Sequence, residues 1–196
     1  MSTGKFGPSS IAPRVYAEHL DQFGEPDNCI VFDDKPMLSG EGAQIPSRIE
    51  VYAWHPTPDL DITTFATIGM SDKPMTGAKH RAELHFAVRK TLSEEEQHAC
   101  SLFLANLATY PFQDNTSLDW WHTIQDPGNI PQFPNARSVL LYPRFVEDGW
   151  EEIHVDGLVV KILNVIPISA AAYQLESTDQ MMAYMWDELG DPFAPW

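Results

Sequence analysis

Apolar side chains recur at helical spacing through Val15, Tyr16, His19, Leu20 and Phe23, so the first predicted element is a helix over 13–23. Pro13 suits its first turn, and Gly24 followed by Pro26 stops it. The polar stretch 27–47 reads as loop with one short strand at 29–32, and it is expected to be mobile. Strand patterns then follow at 48–54, 62–68 and 82–89. In the last, Ala82, Leu84, Phe86 and Val88 alternate with Glu83, His85, Ala87 and Arg89. That alternation puts one apolar and one mainly polar face on the strand, with one side of the sheet meeting the core.

Ser93 and Glu96 have the spacing of a capping box and open the main helix. Its predicted buried stripe is Ala99, Leu102, Phe103, Leu107 and Tyr110, widened by Leu104, and Pro111 is expected to end it. Residues 115–134, rich in Asp, Asn, Pro and Trp, read as a long structured loop. Two further strands are predicted at 138–142 and 158–168, the second apolar on both faces as a central strand should be. A short helix at 169–175 precedes a last helix capped by Ser177 and Gln180, carrying Met181, Met182, Met185 and Leu189 and stopped by Gly190 and Pro192. Strands and helices mix without βαβ alternation. The fold class is therefore α+β, with one mixed, largely antiparallel sheet and helices packed on it.

Composition narrows the function classes. The chain has 196 residues, 43% hydrophobic and 20% charged, enough for one folded core. No apolar run approaches the roughly 20 residues of a membrane span, because Lys161, Asn164 and Pro167 interrupt the longest candidate. The first thirteen residues lack the apolar centre of a secretory leader, so a cytoplasmic location is expected. Cys29 and Cys100 are read as free thiols, Cys100 in the core. With 28 acidic against 12 basic side chains the net charge is −16, which disfavours a nucleic-acid binder. The same charge fits either simple solubility or attraction to a basic partner.

Candidate chemistry is thin. Gly69-Met70-Ser71-Asp72 resembles part of a nucleophile elbow, but Lys73 stands where the second glycine belongs, and a turn between strands explains the segment. His80 and His85, the closest pair weighed, point to opposite faces if both are extended, and His55 between Trp54 and Pro56 is read as packed. Paired carboxylates, such as Asp33-Asp34 and Glu151-Glu152, read as a solvated face. No phosphate-binding glycine loop is present, so no nucleotide cofactor is expected, and no metal. A small-molecule hydrolase or metal-dependent enzyme using Ser71 or a histidine pair is the competing reading. Trp120, Trp121 and His122, with Tyr110 and Asp119, have the composition of a binding hot spot, and equally of rings that plug the end of a sheet.

Several segments in order point to a family: residues 49–54 with Pro56, the run Thr67-Ile68-Gly69-Met70-Ser71-Asp72-Lys73-Pro74-Met75, then Ala82-Glu83-Leu84. Leu107-Ala108-Thr109-Tyr110, Trp121-His122, Leu140-Leu141 and residues 162–167 continue the series. Together they resemble the suppressor-of-fused (SUFU) domain, over roughly residues 14–189. The resemblance implies residues 1–13 as an N-terminal extension, 14–196 as the domain, and a non-catalytic module that binds protein. Animal members hold a zinc-finger transcription factor in check, whereas bacterial members stand alone or serve in proposed cases as toxin-neutralising immunity proteins. The chain ends at Trp196, so the stand-alone bacterial type is the expected match. The family's partner-binding tyrosine and acid correspond to Tyr110 and Asp119. The partner expected here is an unknown protein, basic if the charge is functional.

Overall fold

In the computed structural model, which describes residues 6–33, 45–58, 60–145, 149–175 and 177–196, the strand patterns assemble into one sheet. Its strands are β1 (Asn28–Phe32), β2 (Ile49–Trp54), β3 (Thr63–Ile68), β4 (Arg81–Val88), β5 (Thr123–Gln125), β6 (Ser138–Tyr142), β7 (Glu152–Val155) and β8 (Leu158–Ile168). The spatial order is β1-β2-β3-β4-β8-β6-β5, and β7 also pairs with β8. Only β4 with β8 is parallel; the other described pairings are antiparallel. The sheet is thus mixed and largely antiparallel, as expected for the α+β class.

β8 is central because it is long and apolar on both sides. Its whole length serves three neighbours: β4 on one edge, and β7 then β6 in succession on the other. Leu163 and Val165 join the larger core, while Val160, Ile162, Ile166 and Ile168 face the opposite side. The sheet is consequently covered on both faces. Helix α2 (Glu94–Gln113) covers the front with Cys100, Phe103, Leu104 and Leu107. On the back, α1 (Ala12–Phe23) lays Ala12 and Val15 over Ile68, Val160 and Ile162. The C-terminal elements, α3 (Ala170–Tyr173), α4 (Thr178–Ala183) and a π turn (Tyr184–Glu188), bring Ala172, Met181, Tyr184 and Met185 onto Leu140, Ile166 and Ile168. Two-sided cover corrects one expectation: Glu83 and His85, on the polar face of β4, are buried rather than solvated.

The predicted capping box of α2 is present, Ser93 Oγ accepting from Glu96 N–H and the Glu96 carboxylate accepting from Ser93 N–H at 2.9 Å. Two details of that helix differ. Pro111 lies inside it, and the end comes where Asn115 takes a left-handed φ of 52° and Thr116 N–H donates to Pro111 O. This is the Schellman closure, for which asparagine substitutes for glycine. Ala99 is exposed and Cys100 is buried, so the stripe starts one residue later than expected.

Residues 115–134 contain β5, so they are not loop throughout, and β7 was not anticipated. Asp156 and Gly157 both have positive φ, making the two-residue turn that joins β7 to β8. An Asp-Gly pair between alternating apolar residues is the standard mark of such a hairpin and was legible at that point. Of the polar stretch 27–47, residues 34–44 lie outside the described residues, as do 1–5 of the N-terminal extension. Among the described residues no helix is long and apolar enough to cross a membrane.

Candidate functional site

Ser71 sits in a buried 3-10 turn (Met70–Asp72) directly after β3. Its hydroxyl and N–H both donate to Glu83 Oε1, at 2.6 and 3.0 Å, with Gly69 N–H at 2.9 Å. Thr67 Oγ1 donates to the other carboxylate oxygen and accepts from Leu84 N–H. Burial raises the Glu83 carboxyl to about 7, against the lowering effect of these donors. The segment is a structural joint: Glu83 substitutes for ladder bonds where β3 leaves β4. Asp72, next in line, accepts from Ser10 Oγ, Ile11 N–H and Ala12 N–H and so caps α1 from outside the helix.

His80 and His85 do not converge. His80 Nε2 donates to Leu118 O, whereas His85 Nε2 meets His19 Nε2 at 2.9 Å on the opposite side. His19 Nδ1 donates to Val15 O, so its Nε2 is the acceptor and His85 supplies the proton. Burial lowers His19 to about 4 and His85 well below its ordinary value. Trp54, Trp150 and Phe23 surround the pair. His55 is exposed rather than packed, its ring 3.2 Å from Gln97 Oε1. Among the described residues no three His, Cys, Asp or Glu side chains gather as a metal site would need. Cys29 is exposed and Cys100 buried, both as free thiols.

The aromatic candidates lie in a tight turn. His122 N–H donates to Asp119 O, which closes a four-residue turn with Trp120 and Trp121 at its centre. Trp121 has φ of 69°, a left-handed conformation that is unusual for so bulky a side chain. Trp121 N–H donates to Leu141 O, and His122 O accepts from Leu141 N–H. Two residues therefore oppose one, which is a bulge with its left-handed position filled by tryptophan instead of glycine. The bulge opens β5 and sends the two rings to different surroundings. Trp120 packs against the front core and donates from Nε1 to Ile162 O; Trp121 meets Tyr142 edge-on in the back cluster. Both rings are half-buried, so neither is the fully exposed member of the pair.

Asp119 is already paired. Lys161 Nζ lies 2.7 Å from its carboxylate and 4.0 Å from the centre of the Trp120 ring. Burial raises the Asp119 carboxyl, but hydrogen bonds from Lys161 and from Trp120 N–H outweigh that and leave it lowered. Tyr110, from the last turns of α2, shares an open cleft of about 420 Å³ with Trp121, His122 and Thr123. Tyr110, Trp121 and His122 thus meet at one surface, with the Asp119–Lys161–Trp120 stack beside it. The sequence named all five positions but missed Lys161, whose lone charge inside the apolar pattern of 158–168 was the available clue.

A two-sided mixed sheet with its long central strand and this bulged aromatic turn defines a SUFU-type α+β domain. The family model for Suppressor of fused protein (SUFU) matches residues 46–192, most of the chain, and the chain belongs to that family. No curated protein matches it. Among solved structures it is similar to a SUFU homolog from Neisseria gonorrhoeae, at TM-score 0.61 and 14% identity, covering 92% of this chain and 91% of that one. It is also similar to a chain of the Sufu-Fu complex, at TM-score 0.57 and 16% identity, covering 88% and 79%. Drosophila Suppressor of Fused matches at TM-score 0.55 and 14% identity, over 85% of this chain and 42% of its own length.

Proposed function

We propose that this chain is a non-enzymatic protein-binding module that sequesters a basic partner protein in the cytoplasm, as an immunity or regulatory protein, through residues 14–196. The contact surface is the cleft and turn formed by Tyr110, Asp119, Trp120, Trp121 and His122. The observation that carries the site is Trp121, held in a left-handed bulge at the mouth of the Tyr110 cleft. Backbone strain of this kind costs about 1–3 kcal/mol and concentrates at functional positions. β5, immediately after it, has only β6 as a described neighbour, so its free edge can take an extended segment. A related solved structure is, by its name, a complex of Sufu with a second protein, Fu. The excess of acids, net −16, favours a basic partner. The non-enzymatic reading is supported by Ser71, whose hydroxyl donates to a carboxylate with no histidine among its hydrogen-bond partners.

A photo-crosslinking residue at exposed His122, used in the native cell, should capture the partner for identification by mass spectrometry. Replacing Tyr110 by Ala should then weaken binding by about 2 kcal/mol, roughly thirtyfold. Asp119→Ala should weaken it as well, through release of Lys161. Association should slow steeply with added salt, because charge steering is screened beyond about 8 Å at physiological ionic strength. Unchanged affinity in both variants, each shown to be folded, would remove the site while leaving family membership intact.

A further inference from the structure

The back of the sheet is not fully covered. Between α1 and the C-terminal helices lie two apolar depressions of about 330 and 290 Å³. They adjoin, because Phe145 and Phe193 line both. The large hydrophobic side chains exposed among the described residues are Phe23, Leu60, Met182 and Trp186. Phe23 and Leu60 wall the first depression and Trp186 the second, while Met182 stands one helical turn from Trp186. Exposed apolar residues scattered singly need no explanation, but these collect along one groove. Trp186, 68% exposed, would be the anchor, since tryptophan dominates binding hot spots.

Charge around the groove selects its occupant. Asp191 lines the second depression, Asp61 follows Leu60 in sequence, and Asp187 and Glu188 follow Trp186. The basic residue lining the groove is Arg89, and it is held by both Asp61 and Asp191. An anionic membrane surface would be repelled by this rim, and a second copy of a chain carrying −16 would be repelled as a whole.

We propose that the groove running from Phe23 and Leu60 past Phe145 and Phe193 to Trp186 docks a basic amphipathic segment of a partner protein, apolar anchors inward and Lys or Arg facing the acidic rim. It rests on the reading of the chain as a protein-binding module, but it shares no residue with the Tyr110 cleft. It supplies a second contact surface on a different part of the molecule.

The probe is a dye-labelled 18-residue Leu/Lys amphipathic helix peptide, compared by fluorescence anisotropy with a Leu/Glu peptide of identical apolar face. The whole chain is used, as parent, as Tyr110→Ala, and as Trp186→Ala combined with Leu60→Ser. Both groove positions are mostly exposed, so the combined variant should fold, which circular dichroism checks; Met182→Gln alone is the reserve. These substitutions leave every charge in place, so diffuse attraction between peptide and protein is unaltered. The expected result is binding of the Leu/Lys peptide only, at least tenfold weaker in the combined variant and unchanged in Tyr110→Ala. Equal binding by parent and combined variant, or by the two peptides, would overturn the proposal. So would salt-resistant self-association of the parent that the groove substitutions abolish, since that gives the groove to a second copy. Failure of the Tyr110 surface with the groove intact, or the reverse, separates the two proposals.

Discussion

The buried His19–His85 pair should make the fold lose stability in mild acid, and the size of the effect follows from its geometry. Both imidazoles are neutral because burial disfavours their charged forms, and His19 is lowered to about 4 from an ordinary 6.5. Between those values the unfolded chain binds a proton that the folded chain refuses. Stability is therefore intact above pH 6.5 and is lost as pH falls toward 4. At pH 5 the loss from His19 alone is about 2 kcal/mol, from about 1.4 kcal/mol for each of the roughly 1.5 pH units below 6.5. His85 adds to it in the same direction. Glu83 acts oppositely. Its raised value of about 7 means that its contribution is complete below pH 4.5 and is lost as pH rises through 7.

The parent's own profile therefore mixes two opposing slopes, and a difference measurement separates them. Replacing His19 and His85 together by Leu removes both partners of one buried hydrogen bond, a change that can be nearly neutral, and leaves Glu83 untouched. Urea unfolding of parent and double variant at pH 7.5, 6 and 5 should show the variant gaining on the parent by at least about 2 kcal/mol across that range. A difference that stays constant with pH would show that the pair is not held neutral, and the argument from burial would fail.

Gly69 has φ of 113°, and a Cβ there would lie 2.5 Å from Arg48 O, so Gly69→Ala should cost about 2 kcal/mol or more in urea unfolding; a loss below about 0.5 would mean the backbone yields easily. Asp72→Ala should cost about 1–2 kcal/mol and speed amide exchange in the first turn of α1, whose N–H groups it accepts, whereas Asp72→Asn should retain part of the protection. Unchanged exchange in Asp72→Ala would show that α1 is held by packing alone.

The sequence by itself determined the elements whose cause is local. The period of Val15, Tyr16, His19 and Phe23, the Ser93–Glu96 and Ser177–Gln180 boxes, and the two-sided apolar run from Leu158 to Ile168 specify helices, helix starts and a central strand. Each depends on neighbours within a few residues, where propensity, capping and alternation act. The Asp156-Gly157 turn belonged to that class too and was overlooked. Pro111 misled because a missing N–H only weakens a helix whose next two residues are buried or capped; Phe112 packs into the front core and Asn115 makes the closure.

What only the tertiary structure decided are the relations between distant residues. Glu83 and His85 read as one polar face of a half-covered strand, yet α1 and the back of the sheet bury both, giving one a joint of four donors and the other a histidine 66 residues away. The aromatic cluster was visible as composition, but its bulge depends on Leu141, and the neutralisation of Asp119 depends on Lys161. The groove on the back face arises from side chains between positions 23 and 193. A sequence pattern reports which face of an element is apolar, whereas which face meets what, and what remains uncovered, is settled only when strands from both ends of the chain pair and the helices divide their two sides.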